Sequence, residues 1–350
     1  MPQPVTFLPD AERILRRQQG LLSTRQCEEF GVTRQTRCRL VQQGRWRRPV
    51  RGVYDTDPVP LGSRVRDDWF THAARWRTWL ALLSHGPEAV AVGAAALVLH
   101  DVQGLPADFE PEVAMPDGSR RVSRFGTLRQ YRPFPTLRMG DREVARLDHA
   151  LAQALPILPR ESALAVLDDV ARRLGMTPDR LAAVHDLLRG RPGAKRVHPL
   201  FQLVDARSES PAESAARLSC HDNGVPPDDL QARFAIDGTV VARVDFVWRL
   251  PDGRWLVVEV DGVGPHSTAR ALVRDAPRQN RLLASGRVIV LRFKPSDNAR
   301  PGGIGRQVAA VLRRHGWHPP AYPAPPTPIA LTPPAAERSA ASRRSGMDSP

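Results

Sequence analysis

Arg243–His266 reads RVDFVWRLPDGRWLVVEVDGVGPH, the pattern of a β-hairpin. Two apolar-rich segments, Val244–Leu250 and Arg254–Val260, flank the turn signal Pro251-Asp252-Gly253. A three-residue loop faces Leu250 with Arg254, and counting outward sets Asp245 opposite Glu259. Directly opposed residues hold their Cβ atoms about 5 Å apart. Alternation brings Asp261 to the face of Glu259 and predicts Val244, Phe246, Val258 and Val260 on the other face. Three carboxylates at one end of a hairpin repel one another unless a cation offsets them. Mg²⁺ (or Mn²⁺), a hard cation commonly held by one or two carboxylates, answers that need. The competing arrangement pairs Asp245 with Arg243 and leaves Asp261-Gly262 as a plain turn.

Beyond the hairpin come His266, Asp275-x-x-Arg278-x-Asn280 and the apolar run Val288–Phe293; upstream lies Ser210-Pro211-x-Glu213. Asp275 reads as a helix N-cap with Pro277 in the first turn. A hairpin, a crossover helix and a further strand suit a mixed sheet. Together these residues resemble the restriction-endonuclease-like fold, in its branch similar to very-short-patch-repair endonucleases, over about residues 208–314. The resemblance implies a mixed sheet flanked by helices and metal-dependent hydrolysis of DNA phosphodiester bonds. It assigns the metal to Asp245 and Glu259 with the Val260 carbonyl, and brings Glu213 near it through water. The family pattern ends Glu-x-Lys, whereas this chain has Asp261 at the Lys position. His266 and Asp261 are then the candidates for proton transfer, and Lys294 one source of the missing positive charge. Arg278 faces phosphate or pairs with Asp275. Read alone, Glu213 is also an acidic residue complementing the dipole of a helix's first turn.

The 350 residues suffice for two or three cores, so the fold class is a multidomain α+β or α/β protein. A formal charge of +14 points to a polyanionic partner. Lys195 and Lys294 are the only lysines, so the location of the arginines matters more than the total. Cys27, Cys38 and Cys220 form no CxxC pair, which argues against a zinc site or a disulfide framework and for a reducing cytoplasm. No signal-peptide pattern opens the chain, and Ala89–Leu99 is too short to span a bilayer, so no membrane partner is expected.

Residues 10–54 read as a winged helix-turn-helix. Asp10, Ser23 or Thr24, and Thr33 cap three helices that end near Gly20, Gly31 and Gly44, and Trp46–Tyr54 has the length of a wing. Seven arginines and no acidic residue lie between Arg34 and Arg51. Arg34, Gln35 and Arg37 suit base contacts from a recognition helix, and Arg45, Arg47 and Arg48 suit phosphates. The bland alternative is a small helical domain with a solvated basic face. Closing on Arg51-Gly52-Val53-Tyr54, the segment resembles the N-terminal domain of abortive-infection (type IV toxin–antitoxin) antitoxins. That resemblance implies operator binding, a non-enzymatic repressor role as the rival function, and a cognate toxin as partner.

Domain boundaries follow: the winged helix at 1–57, an antitoxin-like scaffold of helices and short strands at 58–190, a basic Gly/Pro-broken linker at 191–207, the nuclease-like domain at 208–316 and a disordered Pro/Ala/Ser-rich tail at 317–350. Helices are expected over 64–100 with a break at Gly86-Pro87, then at Arg146–Leu155, Glu161–Leu174 and Pro178–Leu188, with β-like pieces at Glu112–Met115 and Thr127–Arg132.

Overall fold

Among the described residues, helices and three β-sheets follow one another along the chain, an α+β architecture. The computed structural model describes residues 9–64, 69–118, 125–261, 280, 282–319 and 328–331. The chain divides into two units, Met1–Val166 with Gly175–Gln202, and Leu167–Leu174 with Leu203–Pro350.

The first unit opens with α1 (Pro9–Arg17), β1 (Leu21–Ser23), α2 (Thr24–Glu29), α3 (Arg34–Gln42), β2 (Arg47–Val50) and β3 (Val53–Asp55), its strands ordered β1-β3-β2. Ser23 and Gln26 form a reciprocal capping box on α2, and the Thr33 hydroxyl accepts from the Thr36 backbone N–H to cap α3. Leu22, Cys27, Val32, Leu40, Trp46 and Tyr54 fill the space between these elements. Asp55 is fully buried; it pairs with Arg64 and accepts from the indole N–H of Trp76, 3.1 Å away on α4 (Trp69–His85).

The run expected to be helical from residue 88 instead forms β4 (Val90–Val92) before α5 (Gly93–Leu99). β4 lies at the centre of a five-stranded sheet, order β6-β5-β4-β8-β7, with β5 (Glu112–Ala114), β6 (Thr127–Arg129), β7 (Thr136–Met139) and β8 (Arg142–Ala145). Val90, Ala91 and Val92 are all buried, and a run buried on every side has no period to separate strand from helix. Next come α6 (Leu147–Ala154), α7 (Arg160–Arg172) and α8 (Pro178–Leu187). The basic stretch expected to be a linker carries α9 (Ala194–Val197) and a 3-10 turn, His198–Leu203. Val197 and Leu200 are buried there, and Arg196 donates to the Pro156 and Leu158 carbonyls at 2.7 and 2.9 Å.

In the second unit α10 (Pro211–Asp222) precedes β9 (Asp229–Ile236), β10 (Thr239–Arg249) and β11 (Trp255–Val260), an antiparallel meander. β12 (Val288–Phe293) pairs parallel to β11, α11 (Gly303–Arg314) follows, and β13 (Ile329–Ala330) pairs parallel to β9. The result is a mixed sheet in the order β12-β11-β10-β9-β13. α10 and α11 cover one face, where Ala216, Cys220, Val308 and Leu312 meet Phe246, Trp248 and Val258. On the other face Phe234, Val247 and Val257 pack with Leu282, Ile329 and Leu331. The last two fall in the stretch expected to be disordered, yet each is only 3% exposed. Two apolar side chains in a proline-rich tract are enough to add a short edge strand.

One face assignment differs from the alternation rule. Phe246, Val258 and Val260 pack toward the helices, but Val244 packs in the opposite core. The cause is Gln231, whose backbone is left-handed at φ +54°. It turns β9 over, so Leu230 faces the helices while Ala232 and Phe234 face away. β10 follows through the pairs Phe246–Leu230 and Val244–Ala232. Among the described residues no helix is long and apolar enough to cross a membrane.

Candidate functional site

The hairpin has the register read from its turn: the Leu250 N–H donates to the Arg254 carbonyl at 2.8 Å, and Phe246 pairs with Val258. Just past the last pair of that ladder come Asp245 and Glu259, close enough for the Glu259 charge to act on Asp245. Asp245 also lies across from Gln231, between the pairs Val244–Ala232 and Phe246–Leu230, and Glu259 pairs with Arg292 on β12. Four polar residues, Gln231, Asp245, Glu259 and Arg292, thus form a row across four strands. Arg243, the alternative partner for Asp245, makes a bidentate pair with Glu209 at 2.7 and 2.8 Å. Asp245 instead accepts from the Val260 backbone N–H at 2.8 Å and from the Gln231 amide at 3.4 Å.

Glu213 reaches this row from the first turn of α10. Ser210 caps the helix, its hydroxyl accepting from the Glu213 N–H at 3.2 Å and donating to the Glu213 carboxylate at 2.9 Å. The other Glu213 oxygen accepts from the Glu209 N–H and the Gln231 amide, both at 2.9 Å. Gln231 therefore bridges Glu213 and Asp245. A buried anchor holds the helix in place: Asp168 accepts from the Ser214 hydroxyl and the Arg217 guanidinium at 2.7 Å each, and from the Asp205 N–H at 2.9 Å.

The electrostatics favour an added cation. Burial pushes the Glu213 carboxyl above the ordinary carboxylate range, against the hydrogen bond from Glu209 and with help from the Asp245 charge. Burial likewise raises Asp245, and the Glu259 charge adds to it while the Val260 N–H works against it. Three carboxylates with hard oxygen donors fit a hard divalent ion in kind. Among the described residues no three His, Cys, Asp or Glu side chains are grouped closely enough to hold a metal ion as they stand. Arg292 supplies the local positive charge: its guanidinium lies 2.8 Å from Glu259 and 3.7 Å from Asp261. Pattern reading missed Arg292, although counting β12 against β11 from Val288–Trp255 leads to it. Lys294 lies just past that strand, where its backbone N–H donates to Asp297. His266 and Arg278, and Asp275 with them, lie outside the described residues.

In the first unit α3 exposes Arg34, Gln35, Cys38 and Arg39 on one side. Arg48 on β2 is exposed, while Arg45 and Arg47 are half-buried. Arg37 departs from the expectation of a base contact. It is 3% exposed, donates to the Val32 carbonyl at 2.8 Å and to Glu28 at 3.0 Å, and lies over the Tyr54 ring. Arg37 and Leu40, three residues apart, share the inward stripe of α3, so this arginine braces the core that presents its neighbours.

No family model matches the chain. It is 32% identical over 157 residues to an uncharacterized protein found in two strains of Mycobacterium tuberculosis. The match covers 45% of this chain and 57% of each relative, so the chain spans little more than half their length.

Proposed function

We propose that this is a DNA-binding protein whose second unit is a metal-dependent endonuclease of the restriction-endonuclease-like class. The observation that carries the reading is the carboxylate pair Asp245 and Glu259 on the hairpin, with Asp245 joined to Glu213 of α10 through the Gln231 amide. The order helix, three antiparallel strands and a parallel fourth agrees with the resemblance drawn from the sequence. Residues 9–55, with caps at Ser23 and Thr33 and a two-stranded hairpin at β2–β3, support a winged helix-turn-helix. Arg34, Gln35 and Arg39 would meet bases or phosphates, and Arg48 phosphate.

In this reading Asp245 and Glu259, with the Val260 carbonyl, would hold Mg²⁺ or Mn²⁺, and Glu213 would reach it through water. The ion supplies Lewis-acid polarisation of the phosphoryl oxygen and an acidified water. The chain's own groups do the rest. Gln231 fixes Glu213 and Asp245 relative to each other. Arg292 takes the part of the absent Lys, releasing Glu259 and placing a guanidinium against a phosphate oxygen. Asp261 or His266 accepts the proton of the attacking water.

A test is cleavage of supercoiled plasmid with Mg²⁺ or Mn²⁺, comparing the wild type with Asp245→Ala and Glu259→Ala. Nicking or linearisation that both variants lose supports the reading. Absence of cleavage with every metal, while salt-sensitive DNA binding persists, rejects it.

A second reading rests on the Arg292 pair. With Arg292 against Glu259, and Asp261 at the Lys position, the row is neutralised by protein groups. The chain is then a non-enzymatic antitoxin or repressor of a type IV toxin–antitoxin system, bound to its operator through α3, with a cognate toxin as partner. DNA binding without cleavage, together with binding to a toxin encoded beside it, is the outcome that reading requires.

A further inference from the structure

The first unit contains a cleft of about 930 Å³ whose lining includes Arg25, Arg51, His85, Arg138, Asp141 and Arg142. Arg142, the first residue of β8, is only 4% exposed. It donates to the Gly86 carbonyl at 2.6 Å, but its Nε has no hydrogen-bond partner. The carboxylate beside it, Asp141, is 3.7 Å away, itself half-exposed and shared with Arg17 at 3.6 Å. Burial pushes the Arg142 pKa down, and Arg25 lies close enough to push it further. Asp141 offsets part of that cost, but a buried guanidinium with an unmade hydrogen bond and a second cation facing it is a group that a ligand can complete.

His85 ends α4 at the same cleft, 5% exposed. Its Nδ1 lies 2.9 Å from the Ala81 carbonyl, which can only accept, so Nδ1 carries the proton. Its Nε2 has no partner; in the neutral ring it accepts, as from a P–OH, and it donates to a phosphate oxygen only in the imidazolium. Arg25 on α2 and Arg51 at the β2–β3 turn are exposed, although Arg25 also pairs with Glu29 at 2.8 Å. Four guanidiniums and an imidazole therefore meet two carboxylates in one concave surface.

We propose that this cleft is a phosphate-binding site, with Arg142 and His85 at its base and Arg25, Arg51 and Arg138 around its mouth. The phosphate comes from one of two sources, a free phosphorylated small molecule or the backbone of a nucleic acid. The site stands without the catalytic reading of the second unit. Guanidinium forks match phosphate oxygens two at a time, and a phosphate would satisfy the unmade bond of Arg142.

The experiment uses the full chain. Thermal unfolding is followed with millimolar inorganic phosphate against sodium chloride of equal ionic strength, for wild type, Arg142→Gln and Arg25→Gln. Duplex DNA binding is measured by anisotropy over a range of salt for the same proteins. Phosphate is expected to raise the wild-type Tm by several degrees, and both substitutions to abolish the rise. A backbone source adds competition between phosphate and duplex, and a salt slope shallower by about one in Arg25→Gln. A free-ligand source leaves duplex binding unchanged while phosphate stabilisation is lost. Arg25 is at the surface, so its variant reads the site even if Arg142→Gln unfolds. Wild type indifferent to phosphate, with Arg25→Gln binding duplex as wild type does, overturns the proposal.

Discussion

Asp245 is a carboxylate that the fold keeps where its charge is disfavoured, beside Glu259 and with its pKa raised by burial. Glu213 is raised in the same way. Above the ordinary carboxylate range the folded chain therefore holds more protons than the unfolded chain. The stability these groups contribute is fully present below their unfolded pKa and is lost as pH rises through the folded values. Asp245→Asn should flatten that fall, so urea unfolding at neutral pH without divalent metal should show a variant more stable than wild type. A variant less stable at neutral pH would mean that Asp245 is held by its hydrogen bonds and not opposed by its neighbours. Mn²⁺ should add about 1.4 kcal/mol to wild type at ten times its Kd and nothing to Asp245→Asn. Arg292→Gln frees Glu259 from its guanidinium, so calorimetry should show tighter Mn²⁺ binding. Equal affinity would remove Arg292 from the site.

At the scale of elements, the buried Arg217–Asp168 pair and the buried Arg37, paired with an exposed Glu28, hold α10 and α3 in place. Arg217 and Asp168 fix α10, and through it Glu213, so Arg217→Ala leaves a buried carboxylate uncompensated and should cost about 3–5 kcal/mol in denaturant unfolding. A cost near that of a surface substitution would show that Ser214 and the Asp205 N–H satisfy Asp168 without it. On α3 the expected effects separate by side. Arg34→Ala should weaken DNA binding and leave Tm unchanged, whereas Arg37→Ala should lower stability by about 2 kcal/mol through the unpaired Val32 carbonyl and the lost ring contact. These elements also show where sequence reading succeeds. Thr33 was legible as a cap, and Ser23 as one of two candidates with Thr24, because a cap is a local bond; Asp10, read as a cap, lies inside the first turn of α1. The hairpin register was legible because Pro251-Asp252-Gly253 fixes it. Arg292 was not, because a parallel strand reached by a crossover has no turn to set its register. β9 went unread although Asp237-Gly238, with both residues at positive φ, is the strongest kind of hairpin signal.

Over the whole molecule, composition was a poor guide to where folding stops. The proline-rich tail reads as disorder, but Ile329 and Leu331 close the core on the face away from the helices. Ending the chain at residue 319 should uncover Phe234 and Val247 and lower stability by about 3–5 kcal/mol, the burial of two aliphatic side chains. An unchanged Tm would make β13 an ornament of the sheet edge. The exposed arginines of α3 and β2 and those of the cleft lie in the same unit, so that unit is where the expected polyanionic partner is to be tested. How the polar row could be read from sequence depended on one residue: alternation carried Asp245 and Glu259 together, and failed at Val244 because Gln231 is left-handed, which no pattern in the sequence announces.

Gln231 also says something about how this protein will respond to selection. Its backbone angle is one that glycine adopts freely and glutamine does not. A library screened only for heat resistance should therefore yield Gln231→Gly, which relieves the backbone and removes the amide between Glu213 and Asp245. A library screened for the protein's biological effect should retain the glutamine. The ratio of the two residues among survivors would measure how much this one side chain matters to what the molecule does.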